Sequence, residues 1–172
     1  MILLLNGPLG IGKSTLAEAL SESIDGCVML DGDHVMAIHP SPADEVAYLH
    51  ATLALLVGHH WQAGYRHFVI NHLWRSPAEL ADLRQRLLKI DAGVQLHVLL
   101  LTLPLEENLQ RIERRQSARA IDEQAFERQT VLEEREVLYK SLDGSLGEPF
   151  EVSAPPEVLV PTLLRRFGLE AC

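Results

Sequence analysis

Met1-Ile2-Leu3-Leu4-Leu5-Asn6-Gly7-Pro8-Leu9-Gly10-Ile11-Gly12-Lys13-Ser14-Thr15 is the stretch whose reading decides the fold. Residues 2–5 form an unbroken apolar run, the pattern of a strand covered on both faces. Residues 7–14 complete the spacing G-x-x-x-x-G-K-[ST], the Walker A pattern, and residues 16–23 read as an amphipathic helix. Glycines at this spacing allow a tight turn whose backbone N–H groups converge on a phosphate chain. The helix that follows begins near Lys13 and offers its dipole and unpaired N–H groups to the same anion. Lys13 is expected to reach the β- and γ-phosphates of a nucleotide, and the Ser14 hydroxyl to sit on magnesium. The alternative is a glycine turn with a chance lysine.

The 172 residues suffice for one domain with a real core. An apolar content of 47% with 23% charged residues fits a globular chain. A formal net charge of −9 argues against a nonspecific nucleic-acid binder. It leaves room for an anionic small molecule held by a local arginine cluster. Cys27 and Cys172 are far apart and make no disulfide framework, so a reducing, cytoplasmic setting is expected. The first strand starts at the N-terminus with no basic region before it, which predicts no removable signal peptide. The run 94–103 is too short, and carries His97, to span a bilayer. No membrane partner is expected.

Strand-like runs alternate with helical ones along the chain. Strands are predicted at 2–5, 27–30, 68–70, 94–101 and 149–152. Ser41 at a cap followed by Pro42 predicts a helix to about residue 62, and Ser76-Pro77-Ala78-Glu79 predicts a capping box for a helix to residue 90. Further helices are predicted at 105–117, 123–141 and 156–167. This alternation is that of a doubly wound α/β fold with about five parallel strands.

Three groups of residues beside the loop bear on chemistry. Asp31 and Asp33 lie just past the second strand, at the sheet edge where ligands bind in open α/β folds. Carboxylates there hold magnesium or accept the proton of an attacking hydroxyl. Asp31 is read as the metal-side residue and Asp33 as base or acceptor-binding residue, with Gly32 supplying a tight turn between them. The alternative for either is a helix cap. The third strand ends in Asn71-His72, where a Walker B aspartate is expected. Asp31 is then the nearest carboxylate in topology, and His34, His72, Trp74 and Arg75 are candidates for the acceptor pocket, Trp74 by stacking. Arg111, Arg115 and Arg119 are spaced by four and share a helical face, as a lid over a phosphoryl group would need. The alternative is a solvated face paired with Glu106, Glu107, Glu113 and Glu123. Among eight histidines no compact zinc pattern occurs, and His50, His59 and His60 read as interfacial or pocket residues.

The loop Gly7–Thr15, the Asp31-Gly32-Asp33 triplet and the Arg111/Arg115 region resemble a small P-loop kinase of the gluconate kinase, shikimate kinase and chloramphenicol phosphotransferase type. The resemblance implies a single P-loop NTPase domain over residues 1–172, with a five-stranded parallel sheet in the order 2-3-1-4-5. It implies a helical lid at about 105–122. It implies ATP and Mg2+ as cofactors, with Gly7, Pro8, Leu9, Gly10, Ile11, Gly12, Lys13, Ser14 and Thr15 around the phosphates. Arg111, Arg115 or Arg119 would close over ATP, and the adenine would lie near Arg111 and the loop 153–156. Lys13, Asp33, Arg111 and Arg115 are then the catalytic candidates. Asn71-His72-Leu73-Trp74-Arg75 departs from the glycine-rich acceptor motif of shikimate kinases. The reading is an ATP-dependent kinase of a small-molecule hydroxyl, monomer or homodimer. The alternatives are a nucleotide, nucleoside or nucleotide-sugar kinase, zeta-toxin-like activity included, and a non-catalytic nucleotide-binding regulator.

Overall fold

The computed structural model describes residues 1–115, 121–140 and 142–169. The chain runs β1 (Ile2–Asn6), α1 (Lys13–Ser23), β2 (Cys27–Asp31), α2 (Gly32–Val35), α3 (Glu45–Gln62), β3 (His67–Asn71), α4 (Pro77–Leu88), β4 (Leu96–Thr102), α5 (Leu105–Arg115), α6 (Ile121–Tyr139), β5 (Glu148–Glu151) and α7 (Pro156–Phe167). The five strands form one parallel sheet in the order β2-β3-β1-β4-β5.

Alternation along β1 builds the two layers. Leu3 and Leu5 point into one core, with Leu16 and Leu20 of α1 and Leu163 and Leu164 of α7. Ile2 and Leu4 point into the other, with Leu49 and Leu53 of α3, Leu83 and Leu87 of α4 and Leu138 of α6. Each fully buried Leu or Ile contributes roughly 1.5–3 kcal/mol, so a central strand with no polar face has no alternative register that leaves it solvated. From β1 the chain crosses to β2 on one side and later reaches β4 on the other. The carboxyl end of β1 therefore opens onto the crevice where α/β sheets take ligands.

One helix start and one capping bond differ from expectation. The third helix begins at Glu45, and its cap is Asp44, whose Oδ1 accepts from Ala47 N at 2.9 Å. Ser41 and Pro42 stay outside it, because the carboxylate three residues on provides the cap bond instead. At α4 Ser76 caps as expected, its Oγ accepting from Glu79 N at 3.3 Å. The Glu79 carboxylate reaches one residue further back than in a capping box, to Arg75 N at 2.7 Å. Among the described residues no helix is long and apolar enough to cross a membrane.

Candidate active site

Asn6 ends β1 in the interior, 0% exposed, and all four hydrogen-bonding positions of its amide are satisfied. Nδ2 donates to Trp74 O (3.0 Å) and Leu146 O (3.1 Å), and Oδ1 accepts from Gly7 N (2.9 Å) and Trp74 N (3.0 Å). One side chain thus ties the start of the glycine loop to the segment after β3 and to the turn before β5. At the loop's other end Gly12 takes φ +108°, which an L side chain rarely adopts, and caps α1 with no side-chain bond to its first N–H groups. Lys13 folds back over the loop, Nζ donating to Gly7 O (2.7 Å) and Pro8 O (3.1 Å).

The outside of the loop is clamped by residues of α5 and α6. Asn108 of α5, buried, donates from Nδ2 to Leu9 O at 3.1 Å. Glu134 of α6, only 9% exposed, accepts from Leu9 N through Oε2 at 2.6 Å. Arg135 binds Leu103 O and Asn108 Oδ1, holding α6 to α5. The sequence does carry a signal for Glu134: it lies three residues after Val131 and four before Leu138, on the buried face of its helix. An acid at such a position needs a partner in the fold.

Asp31 serves as cap and as bridge at once. Its Oδ1 accepts from Asp33 N (2.9 Å) and His34 N (3.4 Å), capping the short helix α2. Its Oδ2 accepts from Ser14 Oγ (2.9 Å) and Asn71 Nδ2 (2.7 Å). Asp31 and Asn71 are register partners on adjacent strands, so a carboxylate stands one strand over from the position where β3 carries Asn71. Burial works against the charge of Asp31. The bonds from Asn71, Ser14 and the two backbone N–H groups outweigh it and hold the carboxyl below its ordinary range. Asn71 Oδ1 is buried with no hydrogen-bond partner.

Asp33 is held from across the sheet edge by His72, whose Nδ1 lies 3.1 Å from Asp33 Oδ1. An ionised carboxylate only accepts, so Nδ1–H is the donor. That bond, against a smaller cost of burial, lowers the Asp33 carboxyl, with further help from the charges of His72 and Lys13. Gly32 matters here for clearance and not for a turn. It has no positive φ, but a Cβ on it would stand 2.6 Å from His72 Nδ1 and 2.8 Å from His72 Cβ. Lys13, Asp33, His72 and Arg75 line one cleft of about 490 Å³.

Trp74 is not in that cleft. It is 1% exposed, packed in the core on the α3/α4 side of the sheet. Its Nε1–H donates to His50 Nε2 at 3.2 Å, which places the ring proton of His50 on Nδ1, 2.8 Å from Asp82 Oδ2. An aromatic beside pocket residues is here an interior anchor, and His50 is the buried link between α3 and α4. His34 is exposed and does not line the cleft either, since α2 turns it away after the Asp31 cap.

Arg111 also departs from the lid expectation. Its guanidinium donates to Ile11 O (2.8 Å) and Val152 O (2.6 Å), so it braces the loop against the end of β5. With Arg114, Thr15, Ala154, Pro155 and Pro156 it lines a second cleft of about 260 Å³ on the other side of the loop. Arg119 and the Arg115 side chain, with residues 116–120 of the expected lid, lie outside the described residues. Glu113 is 3.6 Å from Arg128 of α6, an arginine outside the face that the solvated-face alternative paired it with.

A family model described as an AAA domain matches residues 2–136. The chain belongs to the AAA domain family. Solved structures with the same fold include two named kinases and a resistance protein. The gluconokinase of Sinorhizobium meliloti 1021 superposes with TM-score 0.68 at 18% identity, over 96% of this chain and 90% of that one. The tunicamycin resistance protein of Deinococcus radiodurans gives TM-score 0.66 at 17% identity, over 99% and 97%. The shikimate kinase of Bacteroides thetaiotaomicron gives 0.57 at 14%, over 98% and 99%. The resemblance to P-loop kinases and the strand order 2-3-1-4-5 are thereby borne out. No curated protein matches the chain at the level of sequence.

Proposed function

We propose that this AAA domain protein is a kinase that transfers the γ-phosphoryl group of ATP, with magnesium, to a hydroxyl of a small molecule. The observation that carries the reading is the shared cleft: the loop lysine Lys13 and the His72-held carboxylate Asp33 line the same 490 Å³ space at the carboxyl edge of the sheet.

The residues fit the groups the reading requires. The uncapped N-terminus of α1 and the glycine loop present N–H groups for a phosphate chain. Ser14, Asp31 and Asn71 would hold magnesium, hard oxygen donors for a hard cation that keeps several of its waters. Asn71 Oδ1, buried without a donor, fits a neighbouring cation-bound water. Arg111, Arg114 and the loop 153–156 would flank the base in the second cleft. ATP with magnesium, when bound, supplies the phosphoryl group and neutralises charge on the phosphates. Lys13 keeps its ammonium at the mouth of the loop through Gly7 O and Pro8 O. Asp33 Oδ1 is fixed by His72, which orients the carboxylate so that Oδ2 accepts the proton of the acceptor hydroxyl. Leu9, Leu49 and Leu73 line the cleft and exclude water from the reacting hydroxyl.

A screen of sugars, sugar acids, nucleosides and antibiotics for ATP-dependent phosphorylation, read by mass spectrometry, tests the reading. The expected result is a phosphorylated product that Asp33→Asn nearly abolishes. Tight ATP binding with no product from any acceptor contradicts it.

A further inference from the structure

Resting on that kinase reading, we propose that the acceptor is a hydroxyl compound carrying a protonated amine beside an apolar face, and that the cleft rejects sugar acids and nucleotides. The cleft is lined by four carboxylates, Asp33, Glu45, Glu79 and Glu134, against two cations, Lys13 and Arg75. Four negative charges less two positive leave the lining at −2. Lys13 belongs to the phosphate end, bonded to the loop carbonyls. Arg75 is the cation an anionic acceptor would need, and its counter-charge is built in. Its Nη2 lies 3.7 Å from Glu134 Oε1; Glu79 holds only its backbone, Oε2 accepting from Arg75 N at 2.7 Å.

Glu134 cannot yield that place easily. Its other oxygen accepts from Leu9 N, and the residue is 9% exposed. A carboxylate or phosphate on the acceptor would compete with Glu134 for the Arg75 guanidinium, whose side chain is 61% exposed, and would enter a lining that carries three further carboxylates. A protonated amine instead adds the positive charge that the lining lacks. The remaining surface sets the rest of the chemistry: Met36, Val46, Leu49 and Leu73 line the cleft with apolar atoms, which favour a flat or branched hydrocarbon face over a fully hydroxylated one.

The experiment uses the whole protein with saturating ATP and magnesium and two matched sets of acceptors. One set is glucosamine, glucose and gluconate. The other is phenylalaninol, 3-phenylpropan-1-ol and 2-benzyl-3-hydroxypropanoate, a carboxylate that keeps the primary hydroxyl. Product is read by mass spectrometry and kcat/KM by ADP release. Within each set the amine is expected to exceed the carboxylate by about 100-fold or more, given the cost of placing like charges together. The phenyl set is expected to exceed the hexose set. In a Glu45→Gln, Glu79→Gln double variant the advantage of the amine over the uncharged compound disappears, by a rise in KM. Preference for gluconate or 2-benzyl-3-hydroxypropanoate, or an amine advantage that survives the double variant, overturns the inference while leaving the kinase reading intact. If no compound is phosphorylated, calorimetry on protein loaded with a non-hydrolysable ATP analogue decides: phenylalaninol binding that the double variant weakens upholds the charge selection, and no binding of phenylalaninol overturns it.

Discussion

Replacing Asn6 tests whether one buried amide couples the glycine loop to the segment after β3. Asn6→Ala removes four hydrogen bonds of 2.9 to 3.1 Å at a site with no exposure. Each is worth about 1 kcal/mol net, and a buried backbone group left without a partner costs about 1–3 kcal/mol. Water entering the vacated space can satisfy some of the four, so the loss is about 4 kcal/mol. That is a large share of a typical stability of roughly 5–15 kcal/mol, and for a chain of this length it lowers Tm by about 8–16 °C. Asn6→Asp separates hydrogen bonding from volume. One oxygen still accepts from Gly7 N and Trp74 N, but the other faces the carbonyls of Trp74 and Leu146. The folded state then favours the protonated acid, so its folded pKa lies above the unfolded value of about 3.9. The folded state keeps its full relative stability below the unfolded pKa and loses it as pH rises through the folded one. Thermal unfolding followed by circular dichroism across pH is the assay. Asn6→Asp is expected to approach the wild type on acidification. A loss below about 1 kcal/mol for Asn6→Ala, or no pH dependence of the gap for Asn6→Asp, would refute the reasoning.

Lys13→Ala is expected to fold normally and lose most phosphoryl transfer, by roughly 100-fold or more as for other preorganised charge stabilisers; retained turnover would show the loop to be non-catalytic. Gly32→Ala places a Cβ within 3 Å of three His72 atoms, so it is expected to lower kcat at least about tenfold by displacing the group that orients Asp33, with ATP affinity unchanged in titration calorimetry. Because the His72 bond lowers the Asp33 carboxyl, the charged form persists to lower pH than in a free aspartate. The acid limb of the kcat/KM profile is therefore expected below the ordinary carboxylate range, and His72→Ala should move it upward. A limb that stays put in His72→Ala would remove His72 from that role.

The layers of this fold were legible because they follow from local pattern. Ile2 to Leu5 can only be a strand covered on both faces, and the glycine spacing after it names the loop. The pair Asp31 and Asp33 was legible as chemistry because both follow a strand at the edge where the loop opens. The bonds that hold each of them were not, because they need the register that sets Asp31 beside Asn71. Glu134 and Asn108 were not legible as loop clamps, since they reach Leu9 from helices 125 and 99 residues away in sequence. Trp74 was misread for a related reason. Position next to His72 and Arg75 says nothing about which face an aromatic takes, and the buried acceptor His50 Nε2 decides it. Spacing alone set Arg111 on one expected helix face with Arg115 and Arg119, yet two backbone carbonyls claim its guanidinium.

The central claim is that Lys13 and Asp33 serve one reaction in one cleft. The most direct measurement is transfer of isotopically labelled γ-phosphate from ATP to an acceptor, with wild type and Asp33→Asn compared at saturating ATP. The account predicts labelled product from the wild type, and from Asp33→Asn a kcat lower by about 100-fold or more with the affinity for ATP preserved. Labelled product formed equally well by Asp33→Asn, or equal losses of turnover and ATP affinity, would contradict it.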